Sequence, residues 1–295
     1  MRQSSFRRRW ATLGSEPSKA PDIARLVRLA AELRWHIVRM MQPNKAHHYG
    51  GSLSAADIVA ALYFYKMNYD PQRPDWPERD RFIMSKGHSV PAQYAALAML
   101  GVIPLDELPT LKLMGSRLQG HPVFRSPPGI EACTGSLGQG LSYAVGVALS
   151  ARVLGRRFRV FVLLGDGELQ EGQVWEAAMT AAHYRLDNLT AIVDRNRLQA
   201  MGQTEQLMAV EPIAEKWAAF RWAVREIDGH DMAEICAALD WACAIRGQPA
   251  VIIAHTTKGK GVSFLENDVS YHNAPLPPEL HERALAELKA ALERS

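Results

Sequence analysis

The chain has 295 residues, enough for one large α/β domain with a sizeable core, and 34 Lys plus Arg against 31 Asp plus Glu leave a formal net charge of only +3. So even a balance gives no footing for nucleic acid as a partner. Cys133, Cys236 and Cys243 have neither zinc spacing nor a disulfide framework, no apolar run is long enough to span a bilayer, and the start lacks a secretory apolar segment, so a reducing, cytoplasmic setting without membrane attachment is expected.

Residues 1–21, with Arg7, Arg8 and Arg9, read as a flexible basic tail, and 22–295 as one domain. Asp22 is placed to cap a helix running to about Met41, with Ile23, Leu26, Val27, Ala30, Leu33 and Ile37 on one face. Lys45 to Ser54, KAHHYGGSLS, reads as a loop, and Asp57 to Met67 as an amphipathic core helix followed by a Pro-rich surface loop, Pro71 to Pro77. The short apolar run that opens RFIMSKGHSV, Arg81 to Val90, predicts a strand whose end carries Ser85, Lys86, Gly87 and His88, with Lys86 placed to meet anions. Leu118 to Pro122 brings Gly120 and His121. TGSLGQG, Thr134 to Gly140, opens a small-residue helix reaching about Leu154; with no apolar strand before it, its G-x-x-G-x-G is a close-packing turn rather than a dinucleotide fingerprint.

The segment Phe158 to Arg197 carries the strongest pattern. Phe158 to Leu164 is an apolar run without polar alternation, as in a strand buried on both faces of a parallel sheet, and it delivers Asp166 to the strand's carboxyl end. A helix from Gln170 to Tyr184 and a second strand from Leu189 to Val193 lead to Asp194 and Asn196. Ligands of open α/β sheets sit beyond the carboxyl strand ends. One carboxylate, one amide oxygen and nearby carbonyls suit magnesium, which keeps its other positions for phosphate oxygens and water. Gly167 allows close backbone approach, and the following helix points its N-terminus at the same place, so a metal-bridged diphosphate is the expected guest. Strand, GDG, crossover helix and Asn after the next strand together resemble the thiamine diphosphate motif, in which the acid and the later Asn hold the metal ion. Strands at Trp222 to Ile227 and Ala250 to Ala254 flank a helix from Met232 to Ile245. HTTKGKG, His255 to Gly261, has a phosphate loop's Gly and Lys content without the Walker order. A polar stretch then ends in Tyr271, His272 and Asn273, and a closing amphipathic helix starts at Pro277 and Pro278.

From Asp22 to Leu280 the blocks HHYGGSLS, DRFIMSKGHS, LQGHP, TGSLGQGLSYAVG, LLGDGELQEGQVWEA, AIVDRNRLQ, TTKGKG and YHNAPL resemble, in order, the amino-terminal, diphosphate-binding domain of transketolases. The resemblance implies a thiamine-diphosphate-binding α/β fold, a mostly parallel central sheet with helices on both faces. It implies that Asp166, Asn196 and the main-chain carbonyl of Leu198 ligate Mg2+ or Ca2+. It further implies that His88, Gly167 and His272 contact the diphosphate, that Lys86 and Lys258 add positive charge nearby, that Gly135, Ser136 and Leu137 line the thiamine, and that Glu168 belongs to the cofactor-binding set. His48, His121 and His272 would face the reacting ketose, hydrogen-bonding its oxygens and helping to move protons, a task that suits imidazole near neutral pH. His36, His47, His183, His230, His255 and His281 read as packing or surface residues; His47 stands where the family usually has a small residue. Glu171, in the first turn of the crossover helix, favours the dipole there, and the resemblance adds a role at a subunit contact.

In this family the glutamate that activates the cofactor's aminopyrimidine belongs to a separate pyrimidine-binding domain, and complete members are about twice as long. The chain therefore resembles the N-terminal subunit of a split transketolase that moves a two-carbon ketol unit between sugar phosphates. Its C-terminal subunit would be a separate chain, and the assembly an α2β2 heterotetramer. The alternatives are the α-type subunit of another split thiamine enzyme, a 2-oxo acid dehydrogenase E1 or a decarboxylase, and a non-catalytic cofactor-binding partner; the pair His48 and His121 favours the transketolase.

Overall fold

The computed structural model describes residues 20–295, so nearly all of the basic tail expected over 1–21 lies outside the described residues. In chain order the elements are α1 (Ile23–Met40), β1 (Ala46–His47), α2 (Tyr49–Ser54), α3 (Ala56–Ala61), β2 (Arg81–Met84), α4 (Val90–Met99), α5 (Gln139–Val153), β3 (Val160–Gly165), α6 (Gly172–His183) and β4 (Leu189–Arg195). There follow β5 (Leu198–Gln199), β6 (Gly202–Gln203), α7 (Thr204–Leu207), α8 (Ile213–Ala219), β7 (Ala223–Asp228), α9 (Met232–Ala244), β8 (Ala250–His255), β9 (Ala274–Pro275) and α10 (Pro278–Arg294).

A five-stranded parallel sheet in the order β2-β3-β4-β8-β7 forms the centre. Strands β3 and β8 at its interior are apolar along nearly their whole length because both faces are covered, whereas the edge strand β7 carries Arg225, Glu226 and Asp228 and is only partly buried; successive side chains serve opposite layers. In β3, Phe161 and Leu163 join the core beneath α1, α3, α4 and α9, whereas Val160, Val162 and Leu164 join the core beneath α5, α6 and α8. The second core is closed by Trp217 and Trp222, whose rings meet edge to face at 4.8 Å. Local signals start the helices where the sequence places them. The Asp22 carboxylate accepts from the Arg25 amide at 3.1 Å, and the Asp231 carboxylate accepts from Ala233 and Glu234 at 2.8 and 3.0 Å.

The parallel register decides where polar groups collect. Gly165 lies opposite Asp194, and Arg195 opposite His255. The segments leaving β2, β3, β4 and β8 therefore emerge along one edge, carrying Lys86 and His88, Asp166, Asn196 and Lys258.

Two local expectations are corrected. Lys45 to Ser54 is not a loop throughout: Ala46–His47 pairs antiparallel with Ala274–Pro275, and Tyr49–Ser54 is a fully buried helix. Its Gly50 and Gly51 permit close approach, since a Cβ on Gly50 would stand 2.8 Å from Lys258 Cγ and one on Gly51 2.7 Å from Ser89 Oγ. Tertiary packing thereby overrides the poor helix propensity of glycine. The helix expected to run to Met67 stops at Ala61 and continues as a π-turn, Leu62–Lys66.

The turn Gly87–Ser89 that presents His88 crosses the backbone at Thr134 and Gly135. A Cβ at Gly87 would lie 2.5 Å from the Thr134 carbonyl and 2.7 Å from the Gly135 amide nitrogen. Gly87→Ala is expected to cost about 1–3 kcal/mol through overpacking. Urea denaturation checks this, and an unchanged midpoint would mean that the crossing is looser than its geometry indicates.

Candidate active site

Four of the sequence-selected histidines converge from distant parts of the chain. His48 precedes α2, His88 lies in the turn after β2, His121 in the loop between α4 and α5, and His272 ahead of β9. The His48 ring centroid is 5.0 Å from that of His88, 6.1 Å from His121 and 5.5 Å from His272, and His88 and His272 are 5.3 Å apart. Gly135, with φ 134°, lies so close under His121 that a Cβ would come within 2.4 Å of that ring. Ser136 is exposed and Leu137 half-buried beside it. The adjacent pair His47 and His48 is split: His47 is buried against Tyr49, and only His48 joins the cluster.

Next to the histidines lie the oxygen donors. The Asp166 carboxylate accepts from the Gly167 amide at 2.8 Å, from the Arg197 amide and from Arg195 Nη1 at 3.0 Å. Asn196 Oδ1 accepts from the Leu198 amide at 3.1 Å, and the turn is completed by Arg197 at φ 67°. Lys258 Nζ donates to the Leu198 carbonyl at 2.5 Å and stands 2.8 Å from His272 Nδ1, so it links the oxygen set to the histidines. Burial pushes the Lys258 ammonium down to about 8. Burial, and then the negative Asp194, push the Asp166 carboxyl above its usual range.

These residues fit a divalent cation carried on a diphosphate. A buried carboxyl beside a second carboxylate calls for positive charge, and the Leu198 carbonyl already receives a cation, the Lys258 ammonium. Among the described residues no group of three or more His, Cys, Asp and Glu could hold a metal ion, so the mixed set Asp166, Asn196 and Leu198 would need the phosphate oxygens to complete a shell. A cleft of about 770 Å³ opens on the β7–β8 side of this turn, lined by Asn196, Leu198, Gln203, His230, Thr257 and Lys260.

Two of the sequence-selected residues are used differently from what was expected. The Lys86 ammonium does not face an open anion site. It is buried, paired with the Asp194 carboxylate and bonded to the Gly51 carbonyl at 2.9 Å. Glu168 is likewise buried, its carboxylate accepting from the Gly138 amide at 2.9 Å, the Gly165 amide at 3.0 Å and Ser85 Oγ. It ties together the turns after β2 and β3 and the start of α5, a role behind the site.

Other residues of the site were not singled out by sequence reasoning. Asp194 also accepts from Ser54 Oγ at 2.6 Å and from Thr256 Oγ1. His230, read as a packing residue, bridges Asp57 through Nδ1 at 2.7 Å and the Thr257 amide through Nε2 at 2.7 Å, with Arg34 on the far side of Asp57. An Asp at a strand end signals a ligand and a brace equally, so these roles could be found only from spatial neighbours.

Burial, followed by His121, Lys112 and Lys258, lowers His48 to about 4, and burial, followed by Lys258, His48 and Lys86, lowers His272 to about 3. His88 is pushed well down by burial and then Lys86, and His121 is lowered by burial and then Lys112. All four are therefore neutral at pH 7, each with one nitrogen able to accept and one to donate. An unfolded histidine binds its proton near 6.5. Between that pH and about 4 the unfolded chain holds more protons, so acidification favours unfolding. The melting temperature of the chain should fall from pH 7 to pH 5, less steeply in the double variant His48→Asn, His272→Asn; equal slopes would refute this origin.

The model of the family described as transketolase, thiamine diphosphate binding domain, matches residues 27–292. The chain is 47% identical over 242 residues to a 6-deoxy-6-sulfo-D-fructose transketolase subunit from Clostridium sp. (strain MSTE9), covering 82% of this chain and 88% of the relative. It is 42% identical over 261 residues to an apulose-4-phosphate transketolase subunit from Phocaeicola vulgatus, covering 88% and 92%. Among solved structures, transketolase from Campylobacter jejuni superposes with a TM-score of 0.83 at 32% identity, covering 92% of this chain and 45% of that one. Transketolase from Leishmania mexicana gives 0.81 at 31% identity, covering 94% and 45%, so this chain spans less than half the length of either enzyme. The chain belongs to the transketolase thiamine diphosphate binding domain family.

Proposed function

We propose that the chain is the amino-terminal subunit of a two-chain, thiamine-diphosphate-dependent transketolase, transferring a two-carbon ketol unit from a ketose to an aldose, each ending in phosphate or a similar oxyanion. The observation that carries the reading is the junction of two sites: an oxygen donor set for a metal diphosphate, joined through Lys258 to four neutral histidines. Two relatives named as transketolase subunits have about the length of this chain, which supports a division of the enzyme between chains. A cytoplasmic α2β2 assembly accords with the family's composite site.

Asp166, Asn196 and the Leu198 carbonyl would hold Mg2+ or Ca2+, with His88, Gly167 and His272 on the diphosphate and Gly135, Ser136 and Leu137 along the thiamine. When bound, the cofactor supplies the carbon nucleophile and electron sink that cleavage next to a ketone requires. This chain's own part is to place the sugar. His48, His121 and His272, neutral and grouped, accept from the ketose hydroxyls or donate to its carbonyl oxygen, and one of them holds the proton that leaves the hydroxyl as the carbon–carbon bond breaks. Lys86 acts by bracing the strand ends through Asp194, and Glu168 by holding the turn after β3. The glutamate facing the aminopyrimidine would come from the partner.

Reconstitution tests the reading. The purified chain should show negligible transfer from xylulose 5-phosphate, and mixing with its cognate partner, thiamine diphosphate and Mg2+ should restore it. Full activity of the chain alone would refute the division of the site, and turnover of pyruvate in preference to the ketose would move the complex to another thiamine enzyme class. Asp166→Asn should weaken cofactor binding to the complex by at least about 100-fold, the upper end of what loss of a supporting partner costs. Calorimetric titration with thiamine diphosphate and Mg2+ checks this, and an unchanged affinity would remove Asp166 from the metal site.

A further inference from the structure

Resting on the ketose-transfer reading, we propose that Lys112 is the residue of this subunit that receives the anionic terminus of the ketose, a phosphate or a sulfonate. The cations around the histidine cluster lie at its two ends. Lys86 and Lys258 are buried at the inner end, where Lys258 touches His272 and the metal-ligand turn. Lys112 is exposed at the other end. Its Nζ donates to the Ala46 carbonyl at 2.7 Å, two residues before His48. Its stem runs along Gly120, where a Cβ would meet Lys112 Cδ at 3.2 Å, one residue before His121.

The electrostatic pattern agrees with that placement. The Lys112 charge acts on His47, His48 and His121, Lys86 acts on His88 and His272, and Lys258 acts on both of these and on His48, which lies between the two ends. From the inside outward the order is Lys258, His272 with His88, His48, then His121 with Lys112. A sugar whose reacting head lies against the inner histidines extends its tail past His48 and His121 towards Lys112. With its one bond among the described residues made to Ala46, the ammonium has two further N–H donors to offer such a tail.

The backbone is bent to put the lysine there. Lys112 sits at φ 61°, in the left-handed region that is unfavourable for a residue with a side chain, with its amide bonded to the Leu118 carbonyl at 2.8 Å. Lys45 is a further cation nearby, beside His47. Its charge acts on His47 but not on His48 or His121, which sets it to one side of the path.

The test uses the reconstituted two-chain holoenzyme and three ketol donors: D-fructose 6-phosphate, 6-deoxy-6-sulfo-D-fructose and the uncharged L-erythrulose. Lys112→Met, which keeps the stem on Gly120, should lower kcat/KM for whichever charged donor the wild type prefers by at least about tenfold more than for L-erythrulose, mostly through KM. Lys112→Arg should restore the preference, and Lys45→Met should leave it unchanged. The phosphate and sulfonate arms tell which oxyanion the site takes. If Lys112→Met lowers charged and uncharged donors equally, or lowers neither, Lys112 does not read the anion and the assignment falls. If the wild-type complex transfers a ketol unit from none of the three, the functional reading falls first.

Discussion

A single buried ion pair organises the end of the sheet on which everything else stands. Asp194 is fully buried at the end of β4 and accepts from Lys86 after β2, from Ser54 on α2 and from Thr256 after β8. Lys86 in turn reaches the Gly51 carbonyl on α2. Separate stretches of chain are thus closed around one carboxylate. Taking both charges out of water is costly, and the pair holds because the remaining lone pairs and protons are satisfied. Removing one partner from such a pair typically costs about 3–5 kcal/mol, far more than the pair contributes over an apolar equivalent. Its value is positional: two positions beyond Lys86, Asp194 and Thr256 lie His88, Asn196 and Lys258, and all three reach the site.

Similar braces stand on either side. Glu168 ties the turns after β2 and β3 to the start of α5, and His230, held between Asp57 and the Thr257 amide, fixes the stretch that leads to Lys258. The tautomer of His230 follows from its neighbours, since the Thr257 amide can only donate and the Asp57 carboxylate accepts. Asp166 and Asn196 therefore each stand two residues from a buried carboxylate, Glu168 and Asp194, and Lys258 follows directly on the Thr257 amide that His230 holds. Positioning by such supports is what a site needs when small displacements weaken catalysis.

Much of this was legible in the sequence, and the part that was not has a common cause. The strands and crossover helices follow from apolar runs and helical periodicity, which are local, and the four histidines were identifiable because each sits in a distinctive block. What a buried polar side chain bonds to is not local. Lys86 beside Gly87 reads as an anion site until the strand register places Asp194 next to it. Gly50 and Gly51 read as a loop until the Lys258 stem and Ser89 are seen to need that space. Lys112 gives no sequence signal, because its relation to Ala46 and Gly120 depends on how the loop between α4 and α5 folds back.

The distribution of charge explains why the histidines must be neutral. On the proposed reading a diphosphate at one end and an oxyanion-bearing sugar at the other would both call for cations, and Lys258 and Lys112 stand at those ends. Burial then strips the histidines between them of their protons. Were they charged, an anionic group could settle anywhere along the row. On the proposed reading, neutral imidazoles between Lys258 and Lys112 would leave the charged ends of the ligand to the two lysines and set the reacting hydroxyls opposite groups that can both give and take a proton.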